Sequence, residues 1–204
     1  MSDAVRVAID GPVAVVTVDN PPVNALGNAI LEALGAAASA LAADEGVRAV
    51  VLTGAGEKAF MAGADLDEFR GFLDTPAAIE EHVGISRRAL DALCALPQPV
   101  VAAIQASAMG GGLEVALACD LLVADPVAKL GLPEIRLGLM PGAGGTQRLP
   151  RRIGEGRAKE LIMLGSALAA EEALGIGLVN RVSEPGAALA EAVALAERLA
   201  GLPG

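Results

Sequence analysis

Apolar and polar positions change period several times along this chain, and each change predicts an element. Val5, Val7 and Ile9 alternate with other residues, Gly11-Pro12 marks a turn, and an apolar run resumes from Val13 to Val18. A β-hairpin is expected over residues 5–18. Asp19-Asn20-Pro21-Pro22 can neither extend a strand nor open a helix ahead of Pro22, and reads as a loop. Leu26, Ile30, Leu34, Ala37 and Leu41 recur at helical spacing, which predicts an Ala-rich helix over 26–43. Residues 47–53 form a short apolar run closed by Gly54-Ala55-Gly56, in the manner of a buried strand.

The middle of the chain continues this alternation. Residues 58–65 read as a loop of small residues, and 67–84 is weakly patterned and broken by Gly71 and Pro76. A helix is expected over 85–96, stopped by Pro97 and Pro99, then a buried strand over 100–104. A short helix over 113–119 follows the triplet Gly110-Gly111-Gly112, with a strand over 121–124. Helical stretches over 158–164 and 170–174, a strand over 179–182 and an Ala/Leu/Glu helix over 187–199 complete the pattern. Strands alternating with helices predict an α/β protein with a largely parallel sheet and right-handed crossovers.

Composition narrows the function classes. The 204 residues are 53% hydrophobic and can bury a core without disulfides or a metal. A net charge of −10 repels phosphate backbones and argues against a nucleic-acid partner. Cys94 and Cys119 are too few for a disulfide framework or a zinc site, and Cys119 reads as a buried structural thiol. No apolar run is long enough to span a membrane, and residues 1–11 lack the pattern of a signal peptide. A cytoplasmic protein without a metal is expected.

Three segments place small residues where a core would take bulk: 59–66 (AFMAGADL), 109–114 (MGGGLE) and 131–134 (GLPE) with PGAGG at 141–145. Glycines between a buried strand and a helix leave backbone N–H groups uncovered at a positive helix end, where a carbonyl oxygen gaining charge is stabilised. By itself such a triplet is also an ordinary tight turn, and no Lys follows to make it a phosphate loop. Glu114 falls in the first turn of an otherwise apolar helix, and Glu134 follows Pro133 in an apolar stretch. Desolvation at such places raises a carboxyl pKa and suits it to proton transfer near neutrality.

The strings MAGADL, GGGLEVALACD and GLPEIRLGLMPGAGGTQRL resemble the defining segments of the enoyl-CoA hydratase/isomerase (crotonase) superfamily, over residues 5–182. The resemblance implies the crotonase (ClpP-like) spiral fold of ββα units, with a core over 1–182 and the start of a C-terminal helical region over 183–204. It implies an oxyanion hole from the Ala64 and Gly111 amides. Glu114 would act as base towards a water, Glu134 would protonate Cα, and the Gly142 amide would help fix that water. Coenzyme A, part of the substrate and no separate cofactor, would lie along Ala25, Leu26, Ala62, Ala64, Asp65, Leu66, Asp67 and Gly111. Many relatives carry Lys where Asp67 stands, and relatives normally continue into a longer helical tail. Lys58 is the nearest cation borne by these motifs, and solvation is its ordinary role. His82 reads as a surface histidine and Asp120 as structural.

The reading that follows is an enoyl-CoA hydratase converting trans-2-enoyl-CoA to 3-hydroxyacyl-CoA, assembled as a homotrimer or hexamer. A Δ3,Δ2-enoyl-CoA isomerase, which typically needs only the carboxylate at Glu134, or another crotonase reaction is the alternative on the same fold. A non-catalytic crotonase-fold scaffold is the alternative of another class, disfavoured by the two intact glutamates and, for an RNA-binding form, by the acidic charge.

Overall fold

A computed structural model describes residues 4–72 and 75–203. In chain order the elements are β1 (Val5–Asp10), β2 (Val13–Val18), α1 (Asn28–Ala42), β3 (Ala49–Gly54), β4 (Ala59–Met61), α2 (Leu66–Arg70) and α3 (Pro76–Cys94). Then come β5 (Val100–Ile104), β6 (Ser107–Met109), α4 (Gly111–Leu117), β7 (Leu121–Ala124), β8 (Lys129–Gly131) and a 3₁₀ turn (Glu134–Leu137). The chain continues through α5 (Gly145–Ile153), α6 (Glu155–Leu164), β9 (Ala167–Ala169), α7 (Ala170–Gly175), β10 (Arg181–Val182) and α8 (Ala188–Ala200).

The strands form two sheets. One has six strands in the order β1-β2-β3-β5-β7-β10, parallel except for the β1–β2 hairpin. The other has four, β4-β6-β8-β9, with only β8–β9 antiparallel. This is the α/β arrangement of ββα units that the motifs imply: β3–β4–α2 and β5–β6–α4 each send their first strand to the large sheet and their second to the small one.

Period-two alternation explains why the central strands carry no polar face. On β3, β5 and β7, Val50, Leu52, Val100, Ala102, Ile104, Leu122 and Ala124 face the larger core shared with α1, α3, α4 and the second sheet. Ala49, Val51, Val101, Ala103 and Val123 face the other way, onto Ala192, Leu195, Ala196 and Ala200 of α8. Helix α8 thus covers the second face of the large sheet, and its small side chains let it lie close.

Several elements depart from the sequence pattern. Residues 59–61 pair as β4 inside a segment expected to be loop, because a three-residue strand is too short to show a period. The weakly patterned 67–84 holds α2 and the first half of α3, a helix that opens with Pro76 at its first turn and runs unbroken through Gly84. β8, β9 and α5 likewise have no counterpart in the expected elements. Helix α4 starts within the glycine triplet, at Gly111, two residues earlier than its apolar run suggests.

That early start sets the site. α4 lies on β4 and β6 so closely that a Cβ on Gly112 would collide with the Met61 carbonyl. At an ordinary helix position Gly→Ala stabilises by about 1 kcal/mol. Here Gly112→Ala is expected to destabilise by about 2–3 kcal/mol through overpacking against rigid backbone, measured as a fall in the denaturation midpoint in urea.

Candidate active site

A cavity of about 770 Å³ opens between the two sheets' loops and α3, and all eleven residues named from the sequence line it. Its floor is built where three chain segments meet. The loop after β4 is pinned to α1's leading segment by Leu26 N–H donating to the Gly63 carbonyl (2.8 Å) and Asp65 N–H donating to the Leu26 carbonyl (3.3 Å). Beside it, Gly110 N–H donates to the Gly131 carbonyl (2.9 Å) and so ties the start of α4 to β8.

Gly63, at φ +101°, lets this loop turn back against the glycine triplet; a Cβ there would lie 2.9 Å from the Met109 carbonyl oxygen and 3.4 Å from the Gly111 nitrogen. A Cβ on Gly111 would in turn lie 3.7 Å from the Ala64 nitrogen. The Ala64 and Gly111 amides are therefore neighbours. Neither has an acceptor among the described residues: the bridge to Leu26 uses the groups on either side of Ala64, and Gly111 is the first residue of α4, where no intrahelical acceptor exists. Two free donors side by side at a helix start are the kind of groups that stabilise a developing oxyanion.

Glu114 is 3% exposed, and its Oε1 accepts from Gly145 N–H at 2.7 Å and Ala143 N–H at 2.9 Å. Burial pushes its pKa up, while those two amides and the Arg148 charge pull it back. Glu134 begins the 3₁₀ turn with Oε2 buried and without a hydrogen-bond partner among the described residues. Burial, with the Glu114 charge adding to it, pushes its carboxyl pKa up to about 7. Burial raises both carboxyl pKa values, but two backbone amides hold Glu114 Oε1 while Glu134 Oε2 has no donor among the described residues, so the two environments are unequal.

The expected coenzyme-binding positions form the rim. Asp65 caps α2, its Oδ1 accepting from the Asp67 and Glu68 N–H groups. Asp67 points outward and pairs with Arg70 at 2.9 Å. Lys58 is exposed and does not line the cavity. Gly142 lines it, but the amides that hold Glu114 belong to Ala143 and Gly145.

Arg148 braces this loop, donating to the Ala143 carbonyl at 2.8 Å. The string GAGGTQRL marks the region, yet residue type alone does not say which amides turn inward.

The surface role expected for His82 is corrected. Its side chain is buried, Nδ1 lies 2.7 Å from Asn28 Oδ1, and the ring packs against Phe69 and Phe72. Asn28 is 54 residues away in sequence, so no local pattern could reveal the pair. Asp120 is structural as expected, accepting from Val100 N–H at 2.7 Å, and Cys119 is buried, its thiol pKa pushed up by desolvation.

Comparison with known proteins agrees with this geometry. Residues 8–203 match the family model for enoyl-CoA hydratase/isomerase. YngF of Bacillus subtilis is 50% identical over 173 residues, 84% of this chain and 66% of YngF, so the chain spans just under two thirds of that relative. The short-chain-enoyl-CoA hydratase of Clostridium acetobutylicum is 41% identical over 191 residues, 93% of this chain and 72% of that one. The crystal structure of an enoyl-CoA hydratase from Bacillus anthracis superposes with a TM-score of 0.93 at 42% identity, covering 97% of this chain and 77% of that one. With the family model matched over residues 8–203 and the two-sheet fold shared with a solved relative, the chain belongs to the enoyl-CoA hydratase/isomerase family of enzymes, the crotonase superfamily.

Proposed function

We propose that this chain hydrates trans-2-enoyl-CoA thioesters to 3-hydroxyacyl-CoA. The observation that carries the reading is the unequal carboxyl pair: Glu114 held by two amides and Glu134 with Oε2 unpartnered among the described residues, beside the free Ala64 and Gly111 donors. The thioester carbonyl accepts from those two N–H groups, each worth about 3 kcal/mol to the charged state. Polarisation makes Cβ electrophilic. Glu114 takes a proton from water as its oxygen bonds to Cβ, and the alkene electrons move onto the carbonyl as an enolate. The enolate collapses as Cα takes the proton that Glu134 holds. Exchange of protons between the pair and solvent restores the starting state.

The rim residues Ala25, Leu26, Ala62, Asp65, Leu66 and Asp67 take the pantetheine and adenine, and Gly142 N–H holds the attacking water. A homotrimer or hexamer completes the reading, supported by the exposed apolar residues Ile135, Leu137, Met140, Met163 and Leu164 around the 3₁₀ turn and the end of α6. An isomerase needs only the carboxylate at Glu134, and the buried clamp on Glu114 favours hydration over it.

Glu114→Gln is expected to lower kcat for crotonyl-CoA hydration by about 10²–10⁴-fold, with a much smaller change in binding of a saturated acyl-CoA. Near-native hydration by that variant would remove the hydratase reading and leave isomerisation.

Glu134 also ties activity to a stability cost. A folded-state pKa of about 7, above the ordinary 4.5, means folding is favoured by this group below pH 4.5 and loses that contribution as pH rises through 7. Glu134→Gln is therefore expected to raise unfolding free energy at about pH 8 by on the order of 1 kcal/mol, allowing for partial exposure, with the gain vanishing near pH 4. Parallel denaturation curves at the two pH values measure it.

A further inference from the structure

Much of the cavity wall is apolar, with Leu31, Phe69, Ile79, Val83 and Leu90 among its residues. Two polar side chains interrupt it. His82 and Ser86 stand one turn apart on the same face of α3, are 7% and 8% exposed, and both line the cavity. An alkyl chain seated against them would strip water from both without replacing its hydrogen bonds, at about 1–3 kcal/mol for a polar group left unpaired.

The ring is oriented by its neighbours. Asn28 Oδ1 is an acceptor, so Nδ1 carries the proton that bonds to it at 2.7 Å, and Phe69 and Phe72 pack against the ring. In the neutral ring this leaves Nε2 as an acceptor, and it has no partner among the described residues. Burial lowers the His82 pKa, partly opposed by the Glu68 carboxylate, which agrees with a neutral ring. Ser86 Oγ likewise has no partner among the described residues, and a hydroxyl both donates and accepts.

We infer that His82 and Ser86 form a subsite for a hydroxyl group on the acyl chain, so that the preferred substrates are hydroxylated enoyl-CoA thioesters. The substrate hydroxyl donates to His82 Nε2 and accepts from Ser86 Oγ, which satisfies all three groups. A carboxylate fits poorly. Among the described residues no Lys or Arg lines the cavity, a neutral Nε2 repels an anion, and the Glu68 carboxylate acts on the same ring. This inference rests on the acyl-CoA reading above for the ligand's other end, but binding can test it apart from turnover.

The probes are saturated acyl-CoA thioesters of matched chain length, unsubstituted or bearing one hydroxyl placed successively further from the thioester, titrated calorimetrically. At one hydroxyl position the wild type is expected to bind about tenfold tighter than the unsubstituted ligand of the same length. Ser86→Ala should reduce that ratio to near one, and His82→Phe should do the same or invert it. Ser86→Ala keeps the test decisive if His82→Phe does not fold, since it removes a single oxygen.

The matched enoyl-CoA substrates should show the same ratio in kcat/KM. Equal affinity for hydroxylated and unsubstituted ligands at every position overturns the inference, as does a preference that both variants retain. A preference in binding without hydration of any enoyl-CoA leaves the subsite standing and removes the hydratase reading instead.

Discussion

Everything in the site depends on how closely two backbones approach where α4 meets β4. Gly112 sits against the Met61 carbonyl with no room for a Cβ, and Gly63 turns in the left-handed region with Met109 and Gly111 beside it. This contact is the reason small residues occupy both loops. It places the Ala64 and Gly111 amides side by side and fixes the direction of α4, whose next turn delivers Glu114 to the loop of residues 141–145. The cost is local: glycine in a helix is a poor choice for stability, and the structure accepts it because close packing here needs the missing side chain.

The second consequence is electrostatic. Burial at 3% exposure pushes the Glu114 carboxyl pKa up, and two backbone donors and the nearby Arg148 offset that rise only in part. Glu134 receives no such support for Oε2, and the charge on Glu114 makes its own ionisation harder. The asymmetry arises because Glu114 Oε1 meets the inward-turned amides of Ala143 and Gly145, whereas Glu134 Oε2 is buried with no donor among the described residues. Two groups coupled this way titrate as a pair.

Much of the fold and of the site is legible in the sequence, and most of the exceptions share a cause. The hairpin, the buried strands and α1 show clear periods, and Glu114 and Glu134 stand out as acids in apolar surroundings. The three-residue strands β4, β6, β8 and β9 leave no such trace because pairing with distant segments, and not local preference, creates them. His82 reads as a surface residue because Glu80 and Glu81 precede it; Asn28, Phe69 and Phe72 reach it only through the packing of α1, α2 and α3. The amides that clamp Glu114 are hidden for a different reason, since a glycine's N–H direction leaves no mark in its residue type.

The two glutamates are buried in unequal surroundings, and the charge on Glu114 raises the Glu134 pKa. A pH titration of side-chain carboxyl carbons in ¹³C-glutamate-labelled protein, with Glu134→Gln to assign the resonance, tests it directly. Glu134 should titrate near 7, and in Glu114→Gln its midpoint should move down as the neighbouring charge is lost. A Glu134 midpoint near the ordinary 4.5, or one indifferent to the charge at residue 114, would contradict the account.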